Sequence, residues 1–241
     1  LKGVQENDYA MILGYPGRTN RWMPANGIEQ NVKYAYPAWV EGAKTGMDNM
    51  KKFMTKDATV NLQYASKYAS TANYWKNRQG MIDALTKAKT AQNKKKEEAK
   101  FNAWANKAEN KAKYGDVIAT INNYYAQTNL KARHDNYLTQ LLRTATYGTL
   151  PASLGNGLIA YAKENEAKRA EMLPRLTSAI DGAYGSLYAP LEKEVLTAQL
   201  NLYAAKAAEY GLAPKVAEMK AANNGDFTND DTDGDGVQNL Y

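Results

Sequence analysis

The sequence predicts a mainly α-helical fold with one β-strand near its start, and three observations carry that expectation. Val60, Tyr64, Tyr68, Thr71 and Trp75 recur at helical spacing, with Leu62, Ala65, Ala69 and Ala72 widening the face. Further apolar stripes at helical spacing alternate with Gly, Pro and Asp breaks almost to the end of the chain. Tyr9–Leu13 alone reads as a strand: it is a short apolar run closed by Gly14-Tyr15-Pro16-Gly17, where glycine tolerates positive φ and Pro16 fixes the bend. A lone strand has no ladder partner, so this one points to a larger protein.

The 241 residues suffice for one elongated domain or two smaller ones. Eighteen Tyr against three Phe suits thin, partly exposed helical layers, with rings turned inward and hydroxyls outward; lineage composition accounts for the bias equally well. Thirty-one Lys and Arg against 25 Asp and Glu leave a formal charge of +6, which permits an anionic partner without naming one. The absence of cysteine excludes disulfides, thiolate chemistry and cysteine zinc sites. No apolar run reaches transmembrane length, so no membrane insertion is expected. The opening lacks a signal-peptide pattern, but the chain starts at Leu1 rather than Met, and a secretion signal can precede it.

Arg18, Thr19, Asn20 and Arg21 follow the first loop and read as a clamp between domains rather than as an anion site. Tyr36-Pro37 reads as a helix entrance, with Trp39, Val40, Ala43, Met47, Met50 and Met54 as the buried stripe. Asp57 caps the next helix, which is expected to run unbroken to Trp104. On that helix Ser66, Ser70, Asn73 and Asn77 fall at steps of four, three and four, making a second, polar stripe that looks into solvent or a cleft. The lysine-rich tract from Lys87 to Lys113 reads as a solvated helix face, not a nucleic-acid surface.

Gly115-Asp116 opens a helix marked by Val117, Ile118, Ile121, Tyr124 and Tyr125 and continuing through Leu130, His134, Tyr137, Leu138, Leu141 and Leu142. Gly148 to Gly157, containing Pro151, reads as a linker or kinked turn. Leu158, Ile159, Tyr161, Ala162 and Leu173 mark a stretch kinked near Pro174, and Leu191, Val195, Leu196, Leu200, Leu202 and Tyr203 mark the helix after Pro190. Gly211 is a stop signal, and Pro214 starts a short last helix.

His134 is the sole histidine and no Gly-x-Ser-x-Gly elbow accompanies it, so it reads as a surface residue or one with a single fixed hydrogen bond rather than as a catalyst. Asp231, Asp233 and Asp235 alternate as in the front half of a calcium loop, with Val237 offering a carbonyl and Asn239 a water-mediated contact. The chain stops at Tyr241, before the glutamate that would complete such a loop. Adventitious calcium and a flexible acidic tail both remain open, and no other cofactor is expected.

Gly14-Tyr15-Pro16-Gly17-Arg18-Thr19-Asn20-Arg21 and the stretch from Gln63 to Asn77 resemble the bacterial dipeptidyl peptidases of serine peptidase family forty-six. The resemblance implies a helical cap domain inserted in a chymotrypsin-like double β-barrel, with one terminal barrel strand present in this chain. Residues 1–30 would end the first barrel half, 31–225 form the cap, and 226–241 make an acidic tail or return segment. The parent would be a periplasmic or secreted exopeptidase that releases dipeptides from free peptide N-termini. Its triad would lie on both flanks, leaving this piece inactive alone. Partners would be the peptide substrate and the flanking barrel halves, with a homodimer of the full-length enzyme also allowed. Family members hold the substrate's α-ammonium with an Asn of the cap helix. Asn73 is the first choice for that role and Asn77, one turn on, the second. A non-enzymatic helical interaction module is the competing reading.

Overall fold

Helix begins directly after Pro24, whose extended backbone ends the irregular opening of the chain. The computed structural model describes residues 3–11, 13, 14, 19–225 and 227, with 147–153 as backbone only. Its elements are α1 (Ala25–Gln30), a π-helical turn (Asn31–Ala35), α2 (Tyr36–Met54), α3 (Ala58–Lys87), α4 (Thr90–Ala105), α5 (Ala108–Tyr114), α6 (Val117–Thr144), α7 (Thr146–Lys163), α8 (Glu166–Gly185), α9 (Ala189–Lys206) and α10 (Pro214–Ala222).

The mainly α character stands, but the terminal barrel strand does not: no β-strand or barrel element occurs among the described residues. Val4, Tyr9, Met11 and Leu13 are all strongly exposed. Nothing among the described residues supplies a ladder for this segment, whose few hydrogen bonds are local, such as Gln5 N–H to Asp8 Oδ2 at 2.8 Å. An unpaired strand gains neither hydrogen bonds nor burial and gives way to irregular chain.

Pro37 lies in the first turn of α2, yet α2 is not an entrance, because it continues α1 through the π turn. Proline has no N–H to offer the carbonyl four residues back and its ring crowds that carbonyl. The π turn loosens the backbone just there, with the Tyr36 N–H reaching back five residues to Asn31 O. The helix expected to run to Trp104 stops at Lys87. Lys89 turns left-handed at φ +50° and α4 folds back on α1, where the Ala25 N–H donates to Glu98 Oε1 at 2.6 Å and Lys95 pairs with Glu29 at 2.6 Å. Those tertiary contacts outweigh about 1–2 kcal/mol for a left-handed residue with a side chain. The linker expected between Gly148 and Gly157 is helical, within α7. Gly157 serves there as a spacer: a Cβ on it would come 3.1 Å from Leu176 Cδ2 of α8.

Four helices, α2, α3, α6 and α9, enclose the core, which includes Met50, Val60, Tyr64, Tyr137, Leu141, Leu191, Val195, Leu200 and Tyr203. Their directions follow from residue pairing. Gly27 faces Tyr125, Gly42 faces Gln140 and Gly46 faces Thr144, a constant offset of 98 residues, so the α1–α2 run lies parallel to α6. Pairing of His134 with Tyr203 and of Thr146 with Glu192 makes α9 antiparallel to α6. Contacts from Gln63 to Ser186 and from Lys67 to Glu192 make α3 parallel to α9. The parallel pair packs through glycine, since a Cβ at Gly42 would sit 2.6 Å from Gln140 Cβ.

Gly42→Ala should therefore destabilise the chain by roughly 1–3 kcal/mol through overpacking. Gly80→Ala, in α3 where a Cβ meets nothing within 4 Å, should stabilise it by about 0.5–1 kcal/mol. Urea denaturation of both variants checks the pair, and the opposite order of midpoints would refute the spacer role.

Candidate functional site

The register of α3 is set at its first turn, where Asp57 Oδ1 accepts from the Thr59 N–H at 2.7 Å and the Val60 N–H at 3.2 Å. From that start Val60 and Tyr64 turn into the core, and Tyr68, Thr71 and Trp75 are half-buried behind them. Ser66, Ser70, Asn73 and Asn77 consequently come to the surface, all exposed. The polar stripe read from the sequence is thus present, and neither the Asn73 nor the Asn77 side chain makes a hydrogen bond among the described residues. The structure leaves both on the open face of α3 and outside the neighbouring cleft.

Where α3 meets α9 and the start of α7, a carboxylate is completely buried. Glu192 Oε1 accepts from Tyr64 OH at 3.0 Å, from Thr146 Oγ1 at 2.6 Å and from Lys67 Nζ at 3.4 Å, while Oε2 accepts from the Thr146 N–H at 2.6 Å. Tyr64 OH in turn accepts from the Tyr188 N–H at 3.0 Å. Such a charge is tolerated only when its lone pairs are filled and a cation stands by, and Lys67 supplies the cation. Burial pushes the Lys67 ammonium below its ordinary value near 10.5, against the opposing pull of Glu192.

Lys67 also lines a cleft of about 120 Å³ with Trp39, Ser70, Thr71, Tyr74, Gln140, Arg143 and Thr144. Arginines and rings alternate from this cleft outward. Arg143 lies 5.7 Å from the centre of the Trp39 ring and 5.6 Å from that of Tyr74, and Arg78 lies 4.8 Å from Tyr36 and 5.6 Å from Trp39. Trp39 and Tyr74 meet edge to face at 6.3 Å. Sequence reading placed Trp39 in a core stripe and passed over Arg143. The ladder joins residues of three helices, and no local spacing announces it.

His134 is buried rather than on the surface, and it makes two hydrogen bonds instead of one. The Asp135 carboxylate only accepts, so Nδ1 of His134 carries the hydrogen and donates to Oδ1 at 3.0 Å; Nε2 of the neutral imidazole then accepts from Tyr203 OH at 2.7 Å, and that hydroxyl oxygen accepts from the Ala213 N–H at 2.8 Å. Burial pulls the Asp135 carboxyl upward, but hydrogen bonds from Lys131 and His134 outweigh it and hold the group below the usual range. Acid, imidazole and hydroxyl are aligned, yet Tyr203 is 1% exposed and burial raises its phenol. No substrate reaches that hydroxyl, and the alignment fastens α6 to α9 and to the approach of α10.

Asp231, Asp233, Asp235, Val237 and Asn239 lie outside the described residues. Among those described, no group of three or more His, Cys, Asp or Glu is arranged for a metal ion, and no helix is long and apolar enough to cross a membrane.

Glu192→Gln should cost about 3 kcal/mol or more, because it strands the Lys67 charge in a desolvated site. The double variant with Lys67→Met should be more stable than Glu192→Gln alone. Without Glu192 the Lys67 pKa falls further, so the unfolded chain binds the extra proton over the window below 10.5. Stability of Glu192→Gln should then rise with pH through that window more steeply than wild type, which urea titrations from neutral to alkaline pH measure.

A model of the family described as Peptidase S46 matches residues 1–229. The chain is 48% identical over 228 residues to Dipeptidyl-peptidase 7 of Capnocytophaga gingivalis, covering 94% of this chain and 32% of that protein. It is 34% identical over 142 residues to the Asp/Glu-specific dipeptidyl-peptidase of Flavobacterium psychrophilum, covering 59% of this chain and 20% of that protein. The crystal structure of Porphyromonas endodontalis DPP11 in complex with the dipeptide Arg-Glu superposes with a TM-score of 0.72 over 89% of this chain and 31% of that one, at 20% identity, which shows a shared fold. The chain spans about a third or less of the length of these relatives. With a family model spanning nearly all of it and a relative this similar along almost its whole length, the helical chain belongs to the peptidase S46 family.

Proposed function

We propose that this chain is the substrate-capping region of a serine exopeptidase that releases dipeptides from the free N-termini of peptides, with residues 31–225 as the helical cap. The observation that carries the reading is 48% identity across 94% of the chain to a protein named Dipeptidyl-peptidase 7. Barrel halves flanking the cap would supply the catalytic histidine, aspartate and serine. That fits a chain whose single histidine is committed to Tyr203 and Asp135. The cap alone is inactive on this reading, and the whole enzyme works in the periplasm or outside the cell, as a homodimer where it dimerises.

Asn73 takes the substrate's α-ammonium, and Asn77 is the alternative one turn away. Support comes from the exposure of both amides and from their lack of hydrogen bonds among the described residues, which leaves oxygen and nitrogen free for a ligand. The amide oxygen accepts from the ammonium while its NH2 donates to a substrate carbonyl. An extended peptide advances about 3.4 Å per residue, so fixing the ammonium sets the scissile bond roughly 7 Å away, two residues on.

In the full-length protein, Asn73→Ala should lower kcat/KM on dipeptide-releasing substrates at least about 30-fold, by analogy with the roughly 2–5 kcal/mol of a severed buried charge contact. Circular dichroism should stay unchanged, since the side chain is exposed. Peptides acetylated at the N-terminus should resist cleavage. Unchanged kcat/KM in Asn73→Ala would reject the anchoring role, and release of single residues or internal fragments would reject the dipeptidyl reading.

A further inference from the structure

Arg78 and Arg143 are held against the faces of Tyr36, Trp39 and Tyr74, and neither guanidinium has a hydrogen-bond or ion-pair partner among the described residues. A guanidinium stacked on a ring keeps its N–H groups in its own plane, around its edge, where they form a rigid fork that matches a carboxylate. Arg143 lines the same cleft as Lys67, Ser70 and Thr71.

Local charge adds to the case. Lys67 is neutralised by Glu192, so Arg143 leaves the cleft with one uncompensated positive charge. Thr71 Oγ1 already donates to Lys67 O at 2.8 Å, whereas the Ser70 hydroxyl makes no hydrogen bond among the described residues and remains a donor. A space of about 120 Å³ accommodates a carboxylate with its methylene. Ser70 belongs to both the cleft and the polar stripe, one helical turn before Asn73. Tyr74, the neighbour of Asn73, lines the cleft as well, so the cleft adjoins a peptide whose ammonium sits at Asn73.

We propose that Arg143, with Ser70, forms a carboxylate subsite for the peptide substrate, occupied by an acidic side chain or by the free C-terminus of a short peptide. The subsite rests on the proposed capping function, through the placement of the ammonium at Asn73. Contact with the Trp39 and Tyr74 rings restrains the guanidinium before the ligand arrives, which lowers the side-chain freedom lost on binding.

The test uses the full-length protein and two peptide series. One carries Glu or Gln at each of the first four positions in turn; the other consists of tripeptides and tetrapeptides with a free or an amidated C-terminus. In wild type at low salt, kcat/KM should favour the carboxylate-bearing member of at least one pair by about tenfold, as a charge-assisted bidentate contact provides. Preference within the first series identifies a side chain, and within the second a C-terminus. Arg143→Gln should bring that ratio close to one, Arg143→Lys should restore only part of it, and Ser70→Ala should lower it less. Ratios near one throughout in wild type, or a wild-type preference that survives Arg143→Gln, would overturn the subsite while leaving dipeptide release intact. If no dipeptides appear from either series, the capping function itself fails.

Discussion

A single buried carboxylate decides how the helices of this chain meet. Glu192 has no contact with solvent and is bonded to Tyr64 and Lys67 of α3 and to both the backbone and the hydroxyl of Thr146 at the start of α7. A buried charge is weak evidence for extra stability, since well-packed apolar groups of the same volume do as well. What it supplies is selection among arrangements. Sliding α3 by one residue against α9 would strip Tyr64 or Lys67 from Glu192, and an unpaired buried charge costs far more than a few lost apolar contacts. The carboxylate thereby fixes the rotation of α3, and with it which residues face outward.

A second constraint works where α2 meets α6. The parallel run of α1–α2 with α6 keeps one offset through Gly27, Gly42 and Gly46, where side chains of α6 fill the space a Cβ would take. Keeping that offset past Pro37 requires the helix to absorb a residue that cannot bond backward, and the π turn does so while the axis continues. The close approach of α2 and α6 also places Trp39 beside Arg143. The cleft is thus a by-product of glycine packing as much as of its own side chains.

Much of this was legible in the chain. The helical spacing of Val60, Tyr64, Tyr68, Thr71 and Trp75 placed the core face of α3, and the steps between Ser66, Ser70, Asn73 and Asn77 placed its open one, because a helix maps sequence spacing directly onto a surface. Asp57, Gly115-Asp116 and Pro214 marked helix ends through local backbone chemistry. The failures are equally physical. Nothing near Lys89 announces a left-handed residue, since the break there is enforced by the docking of α4 on α1 from more than 60 residues away. Gly148, Pro151 and Gly157 carry turn chemistry, yet α7 forms as one of a packed helical pair with α8. Glu192, His134 and Arg143 gained their environments from partners in other helices, and no spacing rule within one segment reaches that far.

On the proposed function the two faces of α3 have opposite requirements, and the helix satisfies both by keeping them apart. A group that measures a substrate by holding its terminus must stay in place to within a fraction of an ångström, or the count of residues to the reacting bond slips. Side chains that are themselves exposed and unbonded, as Asn73 and Asn77 are, cannot provide such rigidity; their backbone must. Asp57 fixes the start of α3, Tyr64 and Lys67 pin its second and third turns to Glu192, and Tyr74 is braced between Trp39 and Arg143 next to Asn73. Every one of those restraints attaches to the inner or flanking sides of the helix, so none occupies the amides. A surface that looks unstructured from outside is in this way held from behind, and its free hydrogen-bonding groups are available to a ligand without first having to be released from each other.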